Sequence, residues 1–338
     1  MDLNSIWFIL IAILYIGYFI LDGFDLGVGI LHPFVAKNDT ERRVIINSVG
    51  PHWDGNEVWL ISAGGATFAA FPNWYATLFS GFYLPLFLML VALIIRGVAF
   101  EFRSKDENPR WRSLWDWAIF AGSIIPALLW GVAFANIVRG VPIDASQNYT
   151  GGFWNLLNPF ALVAGVLSTL AFTLQGALFL TLKTEDPIKS RIQAMTLRIW
   201  IPSALALIAL VVYSNFETDI LTKSGLTPGI VPIVAMFVSF ITGYFVYRKQ
   251  NRWAFAMSAL VIALTISTVF LQLFPRVMVS SLNPDWSLTI YNASSSPYTL
   301  QVMTTIALIL VPLMLAYQGW TYWVFRKRIS NNPEKLVY

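Results

Sequence analysis

Long apolar runs separated by short polar stretches recur from one end of this 338-residue chain to the other. Most approach or exceed 20 residues, the length an α-helix needs to cross a hydrocarbon core about 30 Å thick. That layer holds no water to satisfy backbone groups, so the runs are predicted to be helices. Nine are predicted, at roughly 6–31, 48–71, 75–102, 115–138, 157–182, 199–216, 229–248, 253–275 and 301–325. Pro85, Pro126 and Pro312 fall inside runs, where a membrane helix tolerates a kink. Pro51, Pro202 and Pro232 fall near starts, where a missing N–H costs little. The first run does not read as a cleaved signal peptide, because no Lys or Arg precedes it. The expected class is an all-α polytopic membrane protein. One grouping is a four-helix bundle within 1–138, a second within 157–275, and a separate helix at 301–325; spacing alone leaves this open.

Composition agrees: 57% of residues are hydrophobic and 12% charged, against about 25% charged in a soluble domain. Of the 22 Lys and Arg, 18 fall in alternate connections and the tail, from Lys37, Arg42 and Arg43 to Arg326, Lys327, Arg328 and Lys335. The opposite connections hold only Arg139, Lys223 and Arg276, and Arg96 lies within a run. This asymmetry places the N-terminus outside and the C-terminus inside. The net charge of +4 then points to anionic lipid headgroups and not to nucleic acid.

Against this background the acids stand out. Asp22 and Asp25 lie in the inner half of the first run, and Asp54 and Glu57 at comparable depth in the second. Each pair is spaced i, i+3, which places its side chains on one helix face. Asn56 lies between the second pair, His52 points to the opposite side, and Arg96 sits near the inner end of the third run. A charge near the bilayer centre costs about 2.5–3.5 kcal/mol on insertion scales, and such groups usually mark ion or proton pathways. Three readings stay open: a proton path from the inside, a neutral network that fixes helix register, and Asp22 or Asp54 capping a broken helix beside Gly23 or Gly55. Gly23 and Gly27, with Gly64 and Gly65, read as close-packing sites between helices. The 14 Trp and 13 Tyr mostly flank the runs as interfacial anchors. There is no Cys, and the only histidines are His32 and His52, which are poorly placed as a haem pair.

The stretches "GYFILDGFDLGVGILHPF", "NDTERRVIINSVGPHWDGNEVWLISAGGATFAAFP", "LIIRGVAFEFRSK", "WRSLWDWAIFAGS", "LLNPFALVAGV" and "NASSSPYTLQVMTTIALILVP" together closely resemble subunit II of the cytochrome bd quinol oxidases. The resemblance runs from the first helix to the last. It implies two four-helix bundles plus one peripheral helix in a bacterial cytoplasmic membrane. It implies a complex that oxidises quinol, reduces O2 to water and draws its protons from the inside. The implied partner is subunit I, which carries two b haems and one haem d, often joined by a very small third subunit. This chain would hold no haem alone, and some members hold a bound quinone. The family's polar route matches Asp22, Asp25 and Asp54 here, with His52, Asn56 and Arg96 beside them. Glu57 stands where some members have Gln. The rival readings are a proton-coupled transporter and a pure assembly scaffold.

Overall fold

The computed structural model describes residues 2–220, 228–330, 332 and 336–337. Lys223 and Lys335 of the charge count lie outside the described residues. Eleven α-helices are described: α1 (Leu3–Val35), α2 (Asp39–Val49), α3 (Trp53–Ala70), α4 (Pro72–Gly81), α5 (Tyr83–Phe102), α6 (Pro109–Arg139), α7 (Pro159–Lys183), α8 (Ile188–Glu217), α9 (Val231–Tyr247), α10 (Asn251–Leu273) and α11 (Pro297–Val324). Two short antiparallel strands, β1 (Arg276–Met278) and β2 (Leu288–Thr289), lie between α10 and α11.

The polar breaks in the sequence act as helix caps. Asn108, Asn158 and Ser296 each accept a hydrogen bond from a backbone N–H of the following turn, and each precedes a Pro at the first helical position. A side-chain acceptor satisfies an N–H that the helix leaves unpaired, and Pro has no N–H to satisfy there. Asp2 and Asn38 cap α1 and α2 in the same way. Gly140, with φ of 100°, ends α6 in a conformation other residues avoid.

Among the described residues, seven helices are long and apolar enough to cross a membrane: α1, α5, α6, α7, α8, α10 and α11. The chain is therefore an all-α polytopic membrane protein. Of the other two expected runs, α3 is made polar at its start by Asp54, Asn56 and Glu57, and α9 has 17 residues. Several boundaries differ from the expectation. The run 48–71 breaks at Gly50–His52, so α2 is a separate helix. The run 75–102 breaks at Phe82. The run at 199–216 belongs to a helix that starts at Ile188, which puts Pro202 inside it.

α1 is the centre of the fold. Twenty of its 33 residues are buried, and it packs against α3, α6, α7 and α10. Gly27 and Gly176 let α1 and α7 touch backbone to backbone: a Cβ on Gly27 would fall 1.8 Å from the carbonyl oxygen of Phe172. Gly64 and Gly65 do not meet the same expectation, since a Cβ on either meets nothing within 4 Å. They belong to an α3 flank that no part of the described chain covers. α11 lies at the other extreme, with Leu300 its only buried residue.

Candidate functional site

Three helices bring the expected polar residues together. α1 runs unbroken past Asp22 and Asp25, so neither caps a broken helix. Both are fully buried, as is Arg96 on α5. One nitrogen of Arg96, Nη2, donates to Asp22 Oδ1 at 2.7 Å and to Glu57 Oε1 at 2.6 Å. Asp25 has a neutral partner instead: Asn56 Nδ2 donates to its Oδ2 at 2.7 Å. One cation thus sits between two carboxylates, and a third carboxyl beside them is held by an amide. A buried charge needs such partners, because desolvation otherwise makes it prohibitively costly.

Two expected members lie elsewhere. Asp54 is exposed on the uncovered flank of α3, one helical step from Glu57, which turns inward. The i, i+3 spacing leaves about 60° between the two side chains, and the edge of the buried face runs between them. Asp54 stands in the first turn of α3, where the helix dipole favours a carboxylate. The helix does begin afresh there, but no side chain caps it. His52 is buried away from Arg96, its ring stacked on Tyr322 of α11 with centroids 4.4 Å apart and planes 4° from parallel.

α11 supplies residues that the sequence reading missed. Tyr322 Oη donates to Asn56 Oδ1 at 2.8 Å, and Gln318 Nε2 donates to the same oxygen at 3.3 Å. Trp59 Nε1 donates to Gln318 Oε1 at 2.7 Å. The available signal was Gln318 itself, an amide inside an apolar run. A second missed group is Asp116, near the start of α6 and nearly fully buried. It accepts from Arg103 Nε at 2.5 Å and also pairs with Arg42, while His32 Nε2 lies 3.5 Å away. Arg103 and Arg112 both reach Asp39 at 2.8 Å. This ionic knot ties the ends of α1, α2, α5 and α6. The two histidines therefore have separate neighbours, Asp116 for His32 and Tyr322 for His52.

An apolar cavity lies among α6, α7, α8 and α10 and meets α1 at Phe19, one turn before Asp22. It has a volume of about 140 Å³ and is walled mainly by apolar side chains, among them Trp130, Phe134, Phe172 and Leu207, with Gln272 at its edge.

Fold and site together define a multi-pass helical membrane protein with a buried ionisable cluster where α1, α3 and α5 meet. Residues 3–325 match the family model of cytochrome bd terminal oxidase subunit II. The chain is 44% identical to cytochrome bd ubiquinol oxidase subunit 2 of Bacillus subtilis (strain 168), over 100% of this chain and 99% of that protein. It is 41% identical to cytochrome bd-I ubiquinol oxidase subunit 2 of Escherichia coli (strain K12), over 97% and 96%. A chain in the structure of bd oxidase from Geobacillus thermodenitrificans superposes with a TM-score of 0.78 at 18% identity, covering 96% of this chain and 99% of that one. This last likeness speaks to fold alone. The chain belongs to the cytochrome bd terminal oxidase subunit II family, and is thus a subunit of an oxidoreductase complex, a quinol oxidase.

Proposed function

We propose that this chain carries protons from the inner side of a bacterial cytoplasmic membrane toward a haem-bearing subunit I, within a complex that oxidises quinol and reduces O2 to water. The observation that carries the reading is the division of labour among the buried acids. Asp22 and Glu57 share Arg96 and form an ionic brace. Asp25 has only the Asn56 amide as a direct partner among the described residues, so it gains or loses a proton without breaking an ion pair. Asp54, on the uncovered flank of α3, then passes the proton across an interface. The names of the relatives support ubiquinol as the reductant.

The same flank supports a docking site for subunit I. Gly55 and Gly65 are exposed on it beside Asp54, and small residues let another helix approach closely. In this reading all nine runs span the membrane with the N-terminus outside and the C-terminus inside. Residues 1–138 and 157–275 form two four-helix bundles, and 301–325 is peripheral. The two b haems and haem d belong to subunit I, and a small third subunit completes the complex. The apolar cavity suits the hydrocarbon part of a bound quinone.

The test uses the purified native complex. Asp25→Asn and Asp54→Asn are expected to keep the haem spectrum and to slow quinol-driven O2 consumption per haem by about tenfold or more, in keeping with positioned proton-transfer groups. Unchanged turnover in both overturns the proton route and leaves the scaffold reading. A colourless, active single chain supports a transporter instead.

A further inference from the structure

α11 barely packs against the bundle, yet near its inner end it inserts Gln318 and Tyr322 beside Asn56. The donor inventory fixes the direction of every bond in that contact. An indole N–H only donates, so Trp59 requires the oxygen of the Gln318 amide to face it. The Gln318 NH2 then faces Asn56 and donates to its Oδ1. The Tyr322 hydroxyl donates to the same oxygen. With its oxygen engaged twice, Asn56 turns its NH2 toward α1, where it donates to Asp25 Oδ2 and, at 3.4 Å, to the Leu21 carbonyl. Both acceptors on α1 reject the flipped amide, which would set oxygen against oxygen.

A proton on Asp25 Oδ2 would leave the Asn56 N–H a hydroxyl oxygen, a weaker acceptor than a carbonyl or carboxylate oxygen. The Asn56 bond therefore favours Oδ2 as the acceptor and Oδ1 as the protonated oxygen. The proton is held and released chiefly at Oδ1, which takes no hydrogen bond from the described residues. We propose that α11 is the positioning element of this site: Gln318, oriented by Trp59, and Tyr322 act through Asn56 to direct proton exchange at Asp25 to Oδ1. The proposal rests on the reading of Asp25 as a proton carrier. It gives the outlying helix a part in proton transfer, and it makes Gln318, Tyr322 and Trp59 positioning residues.

The test is made in the intact purified complex with Trp59→Phe, Tyr322→Phe and the double variant Gln318→Met/Tyr322→Phe. Two properties are read: the infrared C=O stretching band of protonated Asp25, assigned by its loss in Asp25→Asn, and O2 consumption per haem across a pH series. The double variant is expected to shift that band, move the pH of half-maximal turnover and slow turnover by about fivefold, the size of one neutral hydrogen bond. Trp59→Phe keeps an aromatic ring over Gly17, which the indole now covers. It is expected to broaden or split the band, because Gln318 is then free to turn. If the double variant and Trp59→Phe both keep the wild-type band and pH profile while Asp25→Asn is slow, the positioning role is overturned and the proton route stands. Normal turnover in Asp25→Asn overturns both.

Discussion

Arg96 shows how a single residue holds a buried site together. Its Nη2 alone serves Asp22 and Glu57, so the planar fork that usually sets Arg apart from Lys is not what this site uses. A Lys ammonium also offers several donors from one nitrogen. Arg96→Lys is therefore expected to keep the complex assembled, whereas Arg96→Met leaves Asp22 as an uncompensated buried charge. Breaking a buried pair in that way costs about 3–5 kcal/mol. Thermal melting of haem absorbance in the purified complex checks this: a large drop for Met with a small one for Lys is the expected result, and equal drops refute it. At this scale the sequence was informative about presence and less so about partners. Acids and an Arg in apolar runs were visible, but whether Asp22 or Asp25 took the cation was not.

Helices α1 and α3 contrast in how they use glycine. Gly27 and Gly176 bring two backbones into contact, while the Gly65 flank is open. Gly27→Ala is expected to destabilise the chain by about 1–3 kcal/mol, as overpacking does, read as a lower melting temperature in detergent. Gly65→Leu is expected to leave the chain folded but to reduce the haem that copurifies with it, because the added side chain obstructs the proposed docking face. Haem content unchanged by Gly65→Leu removes that face from the interface. α2 offers a prediction in pH. Glu41 accepts two hydrogen bonds from Arg191 and one from the Lys37 N–H, and the Arg191 guanidinium holds its carboxyl below the usual range. The contribution of that contact is present above the ordinary Glu pKa of about 4.3 and is lost as pH falls through the lowered value. Glu41→Gln should flatten this acid-side loss in melting temperature, and an unaltered acid limb would count against it.

The whole molecule keeps a polar cluster, in the half of α1 nearer its C-terminus, apart from an apolar cavity among α6, α7, α8 and α10. The proposed route works only if that half of α1 faces the cytoplasm. The absence of Cys makes the orientation directly testable. Ser146→Cys is expected to react with a membrane-impermeant thiol reagent in intact cells, and Glu107→Cys only after the membrane is opened. The reverse pattern inverts the proposed topology and removes the inner-side proton source with it.

Helical class and the approximate place of the seven long apolar helices were legible in the sequence because a bilayer imposes one length and one backbone solution. The polar residues were legible for a related reason: in an apolar run, an Asp or Arg is costly to insert and stands out. Boundaries such as the break at Gly50–His52 were harder to read, because Pro51 is as compatible with the first turn of one helix as with a break between two. The contacts of α11 were not legible at all. Gln318 and Tyr322 lie more than 260 positions from Asn56 in the chain, and no periodicity links them. Only packing decided that Asp54 faces outward while Glu57 turns in, since their spacing is the same in either case. The sequence determined which charges enter the membrane, and the tertiary structure decided which of them meet, because burial makes each one take the nearest partner that the packed helices present.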